Sequence, residues 1–239
     1  MKVIILRKKW IVASVIFLVF LLVISLASYT YYSRTTATML PTTSKVIVID
    51  AGHGGVDPGA IGKVLGIHEK DINLNIAKYL KEYLEQSGAV VIMTRKDDKG
   101  LYSSSGTLRK KKNEDLKNRK NIVSNSKAHI FVTIHLNSFP QTRYYGAQTF
   151  YPKDNLKGKP LAENIQTQLV GLLDKKNTRS ALSKEGIYLI RGLDIPTALI
   201  ECGFLSNPQE EKLLNTSEYQ KKVAWAIFTG IQKYFENNS

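Results

Sequence analysis

The chain has 239 residues and a mass of 26.8 kDa, which is enough for one globular domain and little more. Hydrophobic residues make up 43% and charged residues 23%, so the composition excludes wholesale disorder, and the single cysteine, Cys202, excludes an intramolecular disulfide framework and a cysteine-cluster metal site. The net charge is +14. Residues 1–44 hold five basic residues and no acidic one, so the remaining body still carries +9.

Residues 1–33 are predicted to be a membrane segment. No charge occurs between Trp10 and Ser33, and about 20 such residues cross a hydrocarbon core of roughly 30 Å. Basic residues, Lys2 and Arg7 among them, precede the apolar run, which predicts a cytoplasmic N-terminus and a body on the far side of the membrane. The length of the run favours an uncleaved signal anchor. The alternative is a cleaved signal peptide, which would make the protein secreted.

Residues 34–44 are rich in Ser and Thr and are interpreted as a tether, and residues 45–239 are interpreted as the folded body. Within the body, short β-branched runs alternate with segments of helical period, which predicts an α/β fold with a mostly parallel central sheet flanked by helices. Residues 97–113 are predicted to form an exposed loop. The predicted strands are 45–50, 89–94, 129–135, 147–151, 186–190 and 197–202, and the predicted helices are 69–86, 114–125, 159–174 and 219–235.

Three polar side chains follow or end predicted strands, namely His53, His135 and Glu201, and Glu69 opens the first helix of the body. Ligands of open α/β sheets usually bind beyond the carboxyl ends of the strands, so these residues can converge. Two imidazoles and one carboxylate suit a zinc ion that keeps a fourth position for water. His68 competes with Glu69 as the third ligand, and spacing alone does not choose between them.

Each candidate also has an ordinary structural interpretation. A histidine on an apolar strand, such as His129, is more often a satisfied surface or core residue than a ligand. Glu201 is flanked by apolar residues and needs a partner when buried, either an ion pair or a water on which it acts as general base. Cys202 alternates to the opposite strand face from Glu201 and is interpreted as a small buried hydrophobic residue.

Together these residues match the pattern of a known protein family. The chain resembles the amidase-3 family of zinc-dependent N-acetylmuramoyl-L-alanine amidases, in order, from about residue 45 to residue 235. Four separated motifs carry the resemblance: VIDAGHGG with DPGA (48–55 and 57–60), the helix-opening Glu69, FVTIHLNS (131–138) and PTALIECGFLSN (196–207).

The resemblance implies that His53, Glu69 and His135 are the zinc ligands and that Glu201 is the catalytic glutamate. It also implies a twisted, mostly parallel six-stranded sheet. The substrate implied is the amide between N-acetylmuramic acid and L-alanine in peptidoglycan. Arg119 matches the family pattern as well and is interpreted as structural.

The short build with an N-terminal anchor is similar to that of the family's sporulation amidases, which act on spore-cortex peptidoglycan before muramic-δ-lactam is made. We therefore expect a partner protein for positioning, because no wall-binding module is apparent. The alternatives are a vegetative or lytic cell-wall amidase, a zinc peptidase with another scissile bond and a non-catalytic wall-binding protein. The basic cluster around Lys110 is expected to face anionic lipid or wall polymer, or solvent alone. Export argues against nucleic acid as a partner.

Overall fold

The computed structural model describes residues 8–35, 39–103 and 105–238, so Lys2 and Arg7 of the predicted basic flank lie outside the described residues. The chain divides after Met39 into two compact units. The first contains the helix α1, Lys8–Thr35. Within it, residues Lys8–Thr30 are apolar and long enough to cross a membrane, by length and composition only.

The second unit, from Leu40 onward, is an α/β layer. Part of the predicted tether packs on it, since Thr42 is fully buried and its hydroxyl lies 2.6 Å from that of Ser87. The strands are β1 Val46–Ala51, β2 Val90–Met93, β3 Ile130–Asn137, β4 Gln148–Pro152, β5 Leu182–Lys184 and β6 Thr197–Phe204. The helices are α2 Glu69–Gln86, α3 Leu108–Asn125, α4 Gly158–Leu172, α5 Pro208–Leu214 and α6 Ser217–Asn237.

The six strands form one sheet in the order β2-β1-β3-β6-β4-β5. Strands β1, β2, β3 and β6 run parallel, and β4 runs antiparallel to β6 with β5 parallel to β4. The predicted fold class, a mostly parallel sheet flanked by helices, is confirmed. Three neighbouring parallel strands, β1, β3 and β6, therefore end at the same edge of the sheet.

The two faces of the sheet pack against different helices. One face packs against α2, α4 and α6, and includes Ile49, Ile134 and Cys202. The other face packs against α3 and the segment that precedes β6, and includes Phe131 and Leu199. Cys202 is fully buried, as the alternation predicted, and Leu199 marks the opposite face, toward which Glu201 points.

The structure differs from the predicted elements in three places, and the predicted strand 186–190 was wrong. Residues 186–190 do not form a strand; they lead into a turn whose Leu189 and Ile190 are buried, and the edge strand lies earlier, at Leu182–Lys184. The apolar residues of this turn pack into the core, so the composition of 186–190 resembles that of a strand.

The helix predicted from residue 114 begins at Leu108, because Thr107 caps it by accepting a hydrogen bond from the backbone of Lys110, so the predicted loop 97–113 is shorter. Helix α5 was missed, although Asn207 followed by Pro208 is a typical helix start.

Candidate metal centre and active site

The loop after β1 places His53 at the carboxyl edge of the sheet. His53 has φ +63°, a conformation that a non-glycine residue rarely adopts, and buried arginines hold the loop in it. The guanidinium of Arg119 donates to the carbonyls of Ala51 (2.7 Å) and His53 (2.6 Å). Arg95 donates to the carbonyls of Ala51 (2.8 Å) and Gly52 (3.1 Å). The guanidinium groups of Arg119 and Arg95 therefore hold this strained turn in place.

Glu69, the first residue of α2, is 3% exposed, and its carboxylate is surrounded by donors. The backbone of Leu136 (2.9 Å) and the side chain of Asn73 (3.2 Å) donate to Oε1, and the backbone of Ala60 donates to Oε2 (2.9 Å). These bonds fix the carboxylate toward β3 and the loop after β1.

Two imidazoles meet the Glu69 carboxylate. His53 Nε2 lies 3.2 Å from Glu69 Oε1, and His135 Nδ1 lies 3.0 Å from the same oxygen. One ligand atom from each of the three residues lies within 4.8 Å of the others. His135 sits in β3 where the pairing with β6 shifts register, a local irregularity of the kind that re-aims side chains beside active sites.

This donor set fits a metal ion. Imidazole nitrogen with carboxylate oxygen is a ligand combination that Zn²⁺ accepts. Asp57 Oδ2 lies 2.9 Å from His53 Nδ1, the arrangement in which a carboxylate orients a histidine whose other nitrogen faces a metal. The space is preserved by glycines, since a Cβ on Gly52 would lie 2.3 Å from the His135 ring and one on Gly59 2.6 Å from Glu69 Oε2. The three side chains could thus hold a cation.

Glu201 lies on β6 in register with His135 on the adjacent strand β3. Its side chain is 12% exposed, and the buried Oε2 atom has no hydrogen-bond partner among the described residues. The ammonium of Lys184 lies 3.8 Å from Oε1. Burial raises the pKa of Glu201, which favours a group that can take up a proton.

The charges of the cluster shift the other pKa values as well. Burial lowers the pKa of His53, but its contacts with Asp57 and Glu69 outweigh burial and raise that pKa to about 9. For Glu69 burial raises the pKa, whereas the two histidines lower it more strongly, so the net pKa lies far below its ordinary value. The Glu69 carboxylate is therefore ionised, the state in which a carboxylate binds a metal ion, whereas His53 must lose its proton to bind one.

A cavity of about 360 Å³ opens beside His53 and His135. Apolar side chains, Val56, Leu116 and Leu189, line it together with Tyr102. This volume is in the range of small-ligand sites and lies against two of the three cluster residues.

Other sequence candidates lie outside the cluster. The side chain of His68 is 42% exposed and faces Asp71 at 3.8 Å, so it is not beside the two imidazoles. His129 accepts a hydrogen bond from the backbone of Val46 at 2.9 Å, a satisfied residue as interpreted from the sequence. The thiol of Cys202 is fully buried, and burial raises its pKa well above the ordinary value.

The sequence reasoning missed two kinds of supporting residue. Asp57 was noted only as part of a motif, although a carboxylate four residues after a candidate ligand is a signal for an orienting partner. The role of Arg95, directly after β2, had no signal in the sequence. Arg119, interpreted as structural from the sequence, is 1% exposed and pairs with Asp50 at 2.8 Å, so it adds nothing to the charged surface.

Known proteins are similar to this chain in sequence and in fold. The family model described as N-acetylmuramoyl-L-alanine amidase (Amidase_3) matches residues 47–233. The germination-specific N-acetylmuramoyl-L-alanine amidase of Bacillus subtilis is 43% identical over 199 residues, which are 82% of each chain.

Two solved structures are also similar. The CwlD amidase from Clostridioides difficile, in complex with the GerS lipoprotein, is 54% identical with a TM-score of 0.80, and the match covers 81% of this chain and all of that one. The catalytic domain of the amidase CwlV from Bacillus (Paenibacillus) polymyxa is 33% identical with a TM-score of 0.69, over 80% of this chain and 98% of that one.

Proposed function

Because the chain belongs to the N-acetylmuramoyl-L-alanine amidase family Amidase_3, we propose that it cleaves its amide with a zinc ion held by His53, Glu69 and His135. The chain is an N-acetylmuramoyl-L-alanine amidase, an enzyme that acts on peptidoglycan. One observation carries the zinc assignment: two ring nitrogens lie 3.0 and 3.2 Å from the same buried carboxylate oxygen. Glu201, in register beside His135, is proposed as the general base.

The proposed reaction is hydrolysis of the bond between the lactyl carbonyl of N-acetylmuramic acid and the nitrogen of L-alanine. A zinc ion held by these three residues would supply Lewis-acid chemistry: it would polarise the amide carbonyl and lower the pKa of a water toward about 7. Glu201 accepts a proton from the attacking water as the water oxygen bonds to the carbonyl carbon. Glu201 then gives that proton to the alanine nitrogen as the carbon–nitrogen bond breaks. The products are a free lactyl carboxylate and a free stem peptide.

The surrounding residues position these groups. Asp57 keeps Nδ1 of His53 occupied, so that Nε2 faces the cluster. Arg119 and Arg95 hold the carbonyls of the loop that carries His53. Oε2 of Glu201, the buried atom without a partner, is the one available for proton uptake.

Spore-cortex peptidoglycan is the substrate we propose, with cleavage as a step toward muramic-δ-lactam. Support comes from the names of two relatives, the germination-specific amidase of Bacillus subtilis and the CwlD amidase of Clostridioides difficile. Deleting the encoding gene in a spore-forming host should leave the cortex without muramic-δ-lactam while vegetative walls remain normal. A normal cortex with altered vegetative walls would favour the vegetative or lytic alternative.

For the domain arrangement we propose a signal anchor in residues 1–33, a tether in 34–44 and a catalytic domain in 45–239. The apolar helix Lys8–Thr30 supports an anchor, with the body on the extracytoplasmic side where peptidoglycan lies. In a spore former that side includes the space between the forespore membranes. Intact mass of the membrane-extracted protein tests retention of the segment; a protein that begins after residue 27 and is found in the medium contradicts it.

A positioning or activating partner protein is the last part of the proposal. The similar CwlD amidase was solved in complex with a lipoprotein, GerS. Recovery of the chain from sporulating cells with no stoichiometric partner and with full activity would contradict a partner requirement.

Digestion of purified muropeptides with analysis of the fragments by mass spectrometry tests the scissile bond. The proposal predicts stem peptides with a free N-terminal alanine and glycan that retains its lactyl carboxylate. Fragments cut within the peptide would instead identify a zinc peptidase, and absence of zinc and of any cleavage would indicate a non-catalytic wall-binding protein.

A further inference from the structure

A second cavity, of about 280 Å³, lies at the β4–β5 edge of the sheet. We name it the cationic groove, and its lining consists of Lys153, Asp154, Lys184, Glu185, Gly186 and Arg191. Three of these residues are basic and two are acidic. The metal cluster and the cavity beside His53 are lined by other residues, so the groove is a separate feature of this part of the chain.

Lys184 joins the groove to the proposed base. Its ammonium crosses the ring of Phe150, 4.3 Å from the centroid, and ends 3.8 Å from Oε1 of Glu201. On the backbone, Lys184 pairs with Pro152 of β4, whereas Glu201 pairs with Gln148, four residues earlier on the same strand. Four strand residues span about 13 Å, so along the strand direction the backbone of Lys184 lies roughly that far from the backbone of Glu201.

The acidic members of the groove are already engaged. Glu185 forms an ion pair with Lys153, and Asp154 accepts a hydrogen bond from the backbone of Gly192 at 2.9 Å. Among the described residues, the guanidinium of Arg191 has no carboxylate within ion-pair distance, and it lies over the ring of Tyr188 at 5.8 Å. Arg191 is thus the cation of the groove that remains available to an anion, and Lys184, whose contact with Glu201 is long at 3.8 Å, is the second cation beside it.

Substrate chemistry determines which anion fits. The lactyl carboxyl of muramic acid forms the scissile amide and therefore carries no charge. The carboxylates near that bond belong to the stem peptide. Glu201 hands its proton to the alanine nitrogen, so the peptide leaves on the Glu201 side. Three extended residues reach about 10 Å, which brings a stem carboxylate to the groove.

On these grounds we propose that the cationic groove binds a carboxylate of the stem peptide through Arg191 and Lys184, and that it selects acidic stems on the leaving-group side. The proposal rests on the proposed function, since it assumes cleavage at the muramoyl–alanine amide. Arg191 binds in the ground state and in the transition state alike, so its loss should act on KM and leave kcat unchanged.

The test compares two N-acetylmuramoyl tripeptides, one with its stem carboxyl groups free and the other with them converted to carboxamides. The variant is Arg191→Gln, an exposed residue whose loss should not affect folding, and the matched control is Lys221→Gln. Lys221, on α6, is also exposed, and its ammonium lies over the ring of Tyr79. Helix α6 packs on the face of the sheet opposite to the one toward which Glu201 points. Full-length protein in detergent is used, and stem-peptide release is measured at low ionic strength.

For the acidic substrate, Arg191→Gln should raise KM about two- to fivefold, the change expected for loss of one exposed ion pair. Arg191→Gln should not change the KM for the amidated substrate, and Lys221→Gln should not change the KM for either substrate. Added salt should raise the wild-type KM for the acidic substrate more than that of the variant. Equal KM values for both substrates, or an equal effect of Arg191→Gln on both, would overturn the groove proposal alone. No release of stem peptide from either substrate by the wild type would instead refute the proposed function.

Discussion

The buried pair of Arg119 and Asp50 is predicted to be the main electrostatic support of the site. Asp50 is fully buried, and Arg119 Nη1 lies 2.8 Å from its Oδ1. The same guanidinium donates to the carbonyl of His53. Arg119→Met removes the charge and keeps most of the side-chain volume, so it leaves Asp50 with only the hydroxyls of Thr94 and Thr133, each at 2.6 Å.

Leaving one partner of a buried ion pair without the other costs about 3–5 kcal/mol. A domain has about 5–15 kcal/mol of stability in all, so the variant should be marginal. Burial raises the pKa of Asp50, but Arg119 and the two hydroxyls outweigh it and lower the pKa to about 2 from an ordinary 3.8. That difference corresponds to roughly 2 kcal/mol, present above pH 4 and lost as the pH falls through 2.

Urea unfolding of residues 40–239, which form a compact unit, measures the effect. At pH 7 we expect Arg119→Met to lower the free energy of unfolding by about 3–5 kcal/mol. The difference from wild type should shrink as the pH falls, because protonation of the unpaired Asp50 removes the buried charge. The double variant Asp50→Asn/Arg119→Met should be more stable than the single one. A loss below about 1 kcal/mol, or a double variant less stable than Arg119→Met, would show that the Arg119–Asp50 pair is not the main electrostatic support of the site.

Three further predictions concern the site. Asp57→Asn should weaken zinc binding about 10–100-fold, measured by competition with a chromogenic chelator, because the carboxylate that orients His53 is lost; unchanged affinity would contradict that role. Gly52→Ala should displace the His135 ring, which a Cβ would approach to 2.3 Å, and so lower both zinc content and melting temperature, whereas Gly171→Ala, with nothing near its Cβ, should leave zinc content unchanged. Cys202→Ala should keep kcat within about twofold of wild type, since the thiol is buried on the opposite strand face; loss of turnover with an intact fold would point to thiol chemistry.

Hydrophobic period and strand composition were sufficient to predict most of the fold. Helix α2 begins and ends where its period predicted, and β1, β3 and β6 lie within two residues of their predicted bounds. The order of strands in the sheet carries no local sequence signal. Residues 186–190 show the limit of composition, because their apolar residues pack into the core from a turn.

The convergence of the site residues could be predicted from the sequence, because parallel strands end at the same edge of the sheet. The structure places His53, Glu69 and His135 together and Glu201 beside them, while their roles as ligands and base are our proposal. Local spacing could not choose between His68 and Glu69, since only the direction of the first turn of α2 separates their side chains. Lys184 lies within reach of Glu201 through the pairing of β4 and β5, which no sequence window contains.

Glu201→Gln separates metal binding from proton transfer when zinc content and stem-peptide release are measured on the same sample. We expect one zinc per chain, as in wild type, with release reduced about 10²–10⁴-fold, because the ligands are intact and the proton acceptor is lost. A variant that retains most of its release would exclude Glu201 as the general base, and a wild type that releases stem peptide with no zinc bound would exclude zinc hydrolysis.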